Sequence, residues 1–362
     1  MKLDGLRVID LSQFLPGPWL TQVMADHGAD VVKIEPPSGE PVRNVGYRTA
    51  DGVSVWFRNT HRGKRAMTLN LKAPVDRERL LAMADDADVF VEAFRPGVVD
   101  RLGIGPDTLR ARNPRLVYAS IAAFGQTGPL AARPAHDLAI QALAGTVSLN
   151  LGADGKPANP GLPAADVCGS MMALTGILMA LYRRERTGRG DYVDVSMMDS
   201  LMSWLPNVTG PVFAEDRAPV VKDERSFGGY AFFTTYETRD GGHIALGGVE
   251  RKFVVNLLTA LDRTDLIDAA TGPNGPGQAP VKAFLSDTFA QKTRAEWEDW
   301  LSHVDVCAAP VLDLHEAFHQ PQVTAREMLV RDAEGNLHIG VPIKFAEEPG
   351  RLNPALPIGG PG

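Results

Sequence analysis

Short runs of β-branched residues alternate with helical segments through the N-terminal part of the chain, and this alternation constrains the fold more than any other feature. The pattern predicts strands at 6–10, 30–35, 66–71, 88–93 and 115–121, with helices at 19–27 and 75–86. Because parallel strands are joined through helical crossovers, the expected class is α/β, a doubly wound parallel sheet with helices on both faces. The turn after the first strand lacks Gly-x-Gly-x-x-Gly, which argues against nicotinamide dinucleotide binding.

The later sequence predicts a second, smaller α+β domain. An apolar helix at 171–186 ends near Gly188, and a strand follows at 192–197. A hairpin then turns at Asp240-Gly241, and helices are predicted at 252–261 and 280–302. The predicted boundaries are 1–199 for the first part of the large domain, 200–225 for an irregular linker, 226–312 for the small domain and 313–362 for a return segment and tail.

Composition argues against several kinds of binding partner and site. The formal net charge is −7, the wrong sign for a protein that binds nucleic acid or anionic membranes nonspecifically. Only two cysteines occur, Cys168 and Cys307, so neither a disulfide framework nor a metal site is expected, and a reducing, cytoplasmic location fits. No signal peptide is indicated, and the apolar stretch 171–182 is interpreted as a buried helix and not as a membrane span.

Three titratable residues are candidates for a catalytic role, and each also has a purely structural interpretation. His136 opens an apolar helical pattern and can exchange a proton near neutral pH, although most histidines have no such role. Asp166 precedes the Met-rich helix and would serve as its N-cap or as a catalytic carboxylate. Glu250 follows a strand and starts a helix, where a carboxylate also complements the helix dipole.

A basic run, Arg58-Asn-Thr-His-Arg62-Gly-Lys64-Arg65, places four cations in eight residues. Such a run is either a phosphate-binding site on an otherwise acidic protein or a solvated surface. The sequence leaves both interpretations open.

Five segments resemble class III CoA-transferases, the family named for carnitine dehydratase and a bile-acid-inducible protein. They are LDGLRVIDLSQFLPGPWLTQVMADHGADVVKIEPP, NTHRGKRAMTLNLK, DVFVEAFRPGVVDRLGIG, NPRLVYASIAAFGQTGP and GILMALYRRERTGRGDYVDVSM. The resemblance implies a large Rossmann-like domain, a smaller domain and a homodimer of interlocked chains. It also implies coenzyme A as part of the substrate, with no prosthetic group.

The resemblance to the α-methylacyl-CoA racemase branch assigns catalysis to Asp166 and His136, with Glu250 supporting the histidine. Such an enzyme epimerises C2 of an acyl-CoA, which requires two acid/base groups flanking a planar enolate. The alternative is a CoA-transferase in which Asp166 attacks the thioester to form a mixed anhydride. An insert at 46–56 resembles the transferases, and Ala135, Ala139 and Ile140 replace the Gly, Asn and Tyr of the racemase motif. A third alternative is a silent CoA-binding or scaffolding protein.

For coenzyme A itself the resemblance indicates a set of side chains on four segments. Cations suit its phosphates, and apolar side chains suit its adenine or pantetheine. These residues are Leu69, Lys72, Phe94, Arg95, Arg101 and, in the first turn, Phe14.

Overall fold

The computed structural model describes residues 1–152 and 154–357, and it contains two compact units. The first unit comprises Met1–Val147, Asn159–Trp204 and the described residues from Phe318 onward. The second comprises Ser148–Ala158 and Leu205–Ala317. The segment Ser148–Ala158 thus belongs to the second unit, whereas the sequence-based boundaries assigned it to the large domain. The last five residues of the predicted tail lie outside the described residues.

The first unit is built on a six-stranded parallel sheet. Its strands are β1 (Arg7–Asp10), β2 (Asp30–Glu35), β3 (Arg65–Thr68), β4 (Val89–Glu92), β5 (Val117–Ala122) and β6 (Tyr192–Ser196). Their order is β3-β2-β1-β4-β5-β6, so the connections reverse direction between β1 and β4. The α/β class and the doubly wound parallel sheet are confirmed. A crevice is expected at the carboxyl ends of the strands beside this reversal.

Helices cover both faces of the sheet. They are α1 (Pro16–Asp26), α2 (Val55–His61), α3 (Pro74–Asp85), α4 (Val98–Arg101), α5 (Pro106–Arg112), α6 (Asp137–Leu143), α7 (Ala164–Thr187) and α8 (Met197–Met202). Successive strand residues enter different cores: Val8 packs in the cluster that includes α1 and α7, and Ile9 in the cluster that includes α3. Strands buried on both faces have little polar alternation, which explains their continuous apolar runs.

Helix α7 is only half buried, which corrects the interpretation of 171–182 as a buried stretch. Ala173, Ile177 and Leu181 enter the core, but Met179 and Tyr182 are 66% and 65% exposed. By length and composition alone α7 could also cross a bilayer, which is weak evidence because core helices of globular proteins pass the same test. Gly188 ends the helix in the left-handed conformation, as expected.

The second unit has a three-stranded antiparallel sheet, β7-β8-β9, and its own aromatic core around Tyr236, Phe289 and Trp297. Its elements are α9 (Gly210–Glu215), β7 (Phe233–Glu237), β8 (His243–Gly247), α10 (Arg251–Ala260), α11 (Ile267–Ala270), α12 (Ala279–Phe289), α13 (Arg294–Leu301) and β9 (Ala308–Pro310). The predicted hairpin is confirmed as β7 and β8.

The remaining elements are short and carry the chain back to the first unit. They are α14 (Leu314–His319), α15 (Pro321–Ala325), β10 (Leu329–Arg331) and β11 (Leu337–Ile339). The tail packs on the first unit, where Ala355 accepts a hydrogen bond from the Gly63 amide at 2.6 Å.

Two local expectations are wrong. The predicted linker at 200–225 is not irregular throughout, since it contains the end of α8 and all of α9. The single helix predicted at 280–302 is two helices, because Thr293 and Glu296 form a capping box that starts α13 anew.

Candidate active site

The first βα turn is held in an unusual backbone conformation. Phe14 has φ 62°, a left-handed value that is disfavoured for a residue with a side chain. The turn is also tight: a Cβ on Gly17 would lie 2.1 Å from the Ser12 Cβ. The Pro-Gly-Pro sequence therefore fits its place, because glycine permits the close approach and proline suits the first turn of α1.

Asp166 lies in the first turn of α7, but it is not the N-cap, so that interpretation is wrong. The helix starts at Ala164, and the cap comes from another helix: Asp137 Oδ1 accepts hydrogen bonds from the Ala165 amide at 2.8 Å and the Asp166 amide at 3.2 Å. Gln141 Nε2 donates to Asp137 Oδ2 at 2.7 Å and orients it. The Asp166 side chain is thereby free for another role.

The environment of Asp166 favours its protonated form. Burial raises its pKa to about 7, and the negative charge of Asp137 adds to the rise. A carboxyl group that gains and loses its proton near neutral pH suits general acid/base chemistry, and its higher basicity also suits a nucleophile.

His136 precedes α6 immediately, with its side chain exposed and making no capping hydrogen bond. Its ring meets the Phe14 ring edge to face, with centroids 5.5 Å apart. Asp137 is the next residue and bonds to the Asp166 amide, so one aspartate links the segments carrying both candidates. Ser170 Oγ, which donates to the Pro16 carbonyl at 2.6 Å, ties α7 to the same turn. The structure therefore gathers Phe14, His136 and Asp166 in one region of the first unit.

A second feature of the first unit is a pocket of about 220 Å³ at the carboxyl ends of the strands. Three of the predicted CoA-binding side chains, Leu69, Lys72 and Phe94, line it. Leu11 follows β1 and Ile34 belongs to β2, which places the pocket at the crevice beside the reversal of strand order.

The other predicted cations lie on the segment after β4. Arg95 and Arg101 are exposed, as is Lys72. Over the part of the chain that the structure describes, none of the three pairs with a carboxylate within 4.0 Å. Their charges are therefore available to an anionic ligand.

Sequence reasoning missed Glu92, which is buried at the end of β4. Its Oε2 accepts the Phe94 amide at 2.8 Å and so fixes the backbone at a pocket residue. Burial raises its pKa to about 7. The sequence signal was present, since a carboxylate that ends a buried apolar strand needs a partner.

Three of the four cations in the basic run are buried in ion pairs, and only Arg65, which pairs with Asp30, lies on the solvated surface. Arg62 is 2% exposed and pairs with Asp26 at 2.8 Å, and Lys64 pairs with Asp10 at 3.2 Å. Arg58 is also buried and pairs with Asp51. These three cations serve ion pairs, and the partners of Arg62 and Lys64 come from distant segments of the chain.

Glu250 starts α10 in the second unit, and its side chain is exposed with no capping hydrogen bond. Its location after β8 and before a helix is as expected. Within residues 1–152 and 154–357, no group of three or more His, Cys, Asp or Glu side chains is arranged to hold a metal ion.

Comparison with known proteins identifies the family. Residues 3–361 match the family described as CoA-transferase family III. The chain belongs to this family. It is 37% identical to an acetyl-CoA:oxalate CoA-transferase from Acetobacter aceti, over 95% of this chain and 89% of that one. It is 34% identical to the α-methylacyl-CoA racemase of Mus musculus, over 92% of this chain and 84% of that one.

A solved member shares the fold: a CAIB/BAIF family protein from Brucella suis superposes with a TM-score of 0.84 at 30% identity, covering 98% of this chain and 96% of the other. The predicted family resemblance is confirmed. The protein is an enzyme of CoA-transferase family III, whose relatives include racemases and transferases at similar identity, and this weighs against the scaffolding alternative.

Proposed function

We propose that this member of CoA-transferase family III is an acyl-CoA C2 epimerase of the α-methylacyl-CoA racemase type. The observation that carries the proposal is the position of Asp137. It follows His136 in the sequence, and its carboxylate caps the helix that carries Asp166. Two acid/base groups beside one substrate carbon are what epimerisation needs.

The reaction proceeds by two proton transfers. One of the two side chains removes the proton from C2 of the acyl-CoA, and the electron pair moves into the thioester to form an enolate. The other side chain then returns a proton to the opposite face of C2. The pKa of about 7 at Asp166 matches this task, because the group can be found in either protonation state at neutral pH.

Coenzyme A is bound as part of the substrate in this proposal. Leu69 and Phe94 supply apolar contact in the 220 Å³ pocket, and Lys72, Arg95 and Arg101 supply charge for its phosphates. Phe14, also assigned to coenzyme A by the resemblance, borders the proposed reaction site through His136. No further cofactor enters the reaction, which involves neither net oxidation nor group transfer.

In the racemase branch a glutamate supports the histidine, and we extend that role to Glu250 as part of the proposal. Replacement by glutamine removes the charge and keeps the side-chain size. In the exchange assay below, Glu250→Gln is expected to lower turnover less than replacement of His136 or Asp166 does.

Deuterium uptake at C2 tests the proposal. The enzyme is incubated in deuterated water with a panel of 2-methylacyl-CoA thioesters, and incorporation is followed by mass spectrometry. Wild-type enzyme should incorporate deuterium, while His136→Gln and Asp166→Asn should each lose at least about a hundredfold in rate. Asp107→Asn, on the exposed first turn of α5, is the control. No uptake across the panel would refute the epimerase proposal.

A CoA-transferase is the second candidate, favoured by the 37% identity to the oxalate CoA-transferase and by the insert at 46–56. Here the Asp166 carboxylate would displace coenzyme A thiolate to form a mixed anhydride. Hydroxylamine would then trap the acyl group, and His136→Gln would retain much of the transfer rate. Loss of all transfer in His136→Gln would exclude this mechanism.

We also propose a homodimer of interlocked chains. The exposed apolar side chains on α7, including Met179 and Tyr182, need a cover, and a second copy is the occupant that the family resemblance implies. Met179→Glu should weaken the dimer in sedimentation experiments. A wild-type monomer at micromolar concentration would refute this part. The cytoplasmic location and the absence of nucleic-acid and membrane partners stay predictions.

A further inference from the structure

A buried charge cluster lies beneath the first βα turn, and the proposed chemistry does not use it. It consists of Asp10, Lys33, Glu40 and Lys64, whose side chains are all 0% exposed. Lys33 Nζ lies 3.7 Å from Asp10 and 3.1 Å from Glu40, and Lys64 Nζ lies 3.2 Å from Asp10. Two carboxylates and two ammonium groups thus balance in charge.

The cluster binds the backbone of the turn. Asp10 Oδ1 accepts the Ser12 amide at 2.9 Å, and Lys33 Nζ donates to the Ser12 carbonyl. Glu40 Oε1 accepts the Phe14 amide at 3.0 Å. The hydrogen bond from Phe14 to Glu40 therefore acts at the residue with the left-handed backbone.

Such an arrangement needs a reason, because buried charges cost free energy and a left-handed phenylalanine adds strain. Strain of this kind persists only where the surroundings fix the conformation. Here the fixed conformation directs the Phe14 ring to the edge-to-face contact with His136. Burial alone would raise the pKa of Asp10, but Lys33 and Lys64 hold it well below its usual range, so this carboxylate stays charged.

We propose that Glu40 and Lys33 are positioning residues that fix the His136 imidazole through the backbone and ring of Phe14. Neither is a catalytic residue, since their contacts are with the turn. The inference about the ring stands on geometry, and only its kinetic consequence rests on the proposed function of His136. The hydrogen-bond acceptor at Glu40 Oε1 is the essential element, because it bonds to the strained residue itself.

Nuclear magnetic resonance of the full-length protein labelled on histidine rings tests the contact. The His136 ring cross-peak is assigned as the one that disappears in His136→Gln. Phe14→Leu removes the aromatic ring and should move this cross-peak. Glu40→Asp keeps the charge but withdraws the acceptor from the Phe14 amide, and should move the cross-peak in the same direction. Glu40→Gln keeps an acceptor at the same reach, and should leave it closer to the wild-type position.

The control is Asp30→Asn. Asp30 lies on the same strand as Lys33, and the substitution removes its exposed ion pair with Arg65. It should leave the His136 cross-peak in place. Thermal melts establish that each variant is folded, and Glu40→Asp decides the question if Glu40→Gln does not fold. If Glu40→Asp leaves the His136 signal unmoved while Phe14→Leu moves it, the proposal is overturned. The reverse order, with Gln moving the signal and Asp not, would also overturn it.

Kinetics separates this inference from the proposed function. Glu40→Asp should lower kcat for C2 exchange by about ten- to a hundredfold, with KM for the acyl-CoA changed less than about threefold, because misplacement of a catalytic group costs rate more than binding. If His136→Gln retains full exchange activity, the proposed function is wrong. The shifts of the His136 cross-peak in the Phe14 and Glu40 variants would still test the positioning role.

Discussion

The raised pKa of Asp166 makes a quantitative prediction about stability. A carboxyl group with an ordinary pKa of 3.8 in the unfolded chain and about 7 in the folded protein keeps its proton longer when folded. Between pH 4 and 7 the unfolded chain therefore binds fewer protons than the folded chain. The free energy of unfolding falls as the pH rises through this window.

The magnitude follows from the width of the window. Each pH unit contributes about 1.4 kcal/mol, so the two units between pH 5 and pH 7 give about 3 kcal/mol. The variant Asp166→Asn cannot titrate at this position. Relative to wild type, its free energy of unfolding should therefore rise by about 3 kcal/mol between pH 5 and pH 8.

Urea denaturation followed by circular dichroism measures this difference at both pH values. Comparison of the variant with wild type at each pH cancels the contributions of the other titratable groups. Asp107→Asn serves as the matched control, because its carboxylate is exposed to solvent. If the difference between Asp166→Asn and wild type is the same at pH 5 and pH 8, the pKa of Asp166 is not raised in the folded protein.

Three further predictions concern other contacts. Asp137→Asn should shift the limb of the pH–rate profile due to Asp166 to lower pH, because a negative charge beside that carboxyl group is lost; an unshifted profile would contradict this. Lys72→Ala and Arg101→Ala should each raise KM for acyl-CoA by about tenfold or more with little change in kcat, measured by steady-state kinetics. An unchanged KM would show that these cations do not contact the phosphates. Thr293→Ala should lower the stability of the second unit by about 1 kcal/mol in denaturation, since it breaks the capping box of α13; an unchanged transition would count against that role.

The sheet could be predicted from the sequence because its evidence is local. Apolar runs such as 30–35 and the helices between them follow from the spacing of residues a few positions apart. The capping box at Thr293 and Glu296 is equally local, and its three-residue spacing could have divided the helix predicted at 280–302.

The site could be predicted only in part. The resemblance identified His136 and Asp166, but the cap from Asp137 to α7 depends on a contact across 28 residues of chain. The basic run was misjudged for the same reason, because Arg62 and Lys64 pair with Asp26 and Asp10. Long-range ion pairs leave no periodic signal, so a buried cation has the same sequence pattern as a solvated one.

A crystal structure with a non-hydrolysable acyl-CoA thioether tests the proposed function most directly. In that structure C2 of the acyl group should lie within reach of both the Asp166 carboxylate and the His136 ring, with the phosphates near Lys72, Arg95 and Arg101. A bound analogue whose sulfur and C2 lie far from Asp166 would contradict the proposed function.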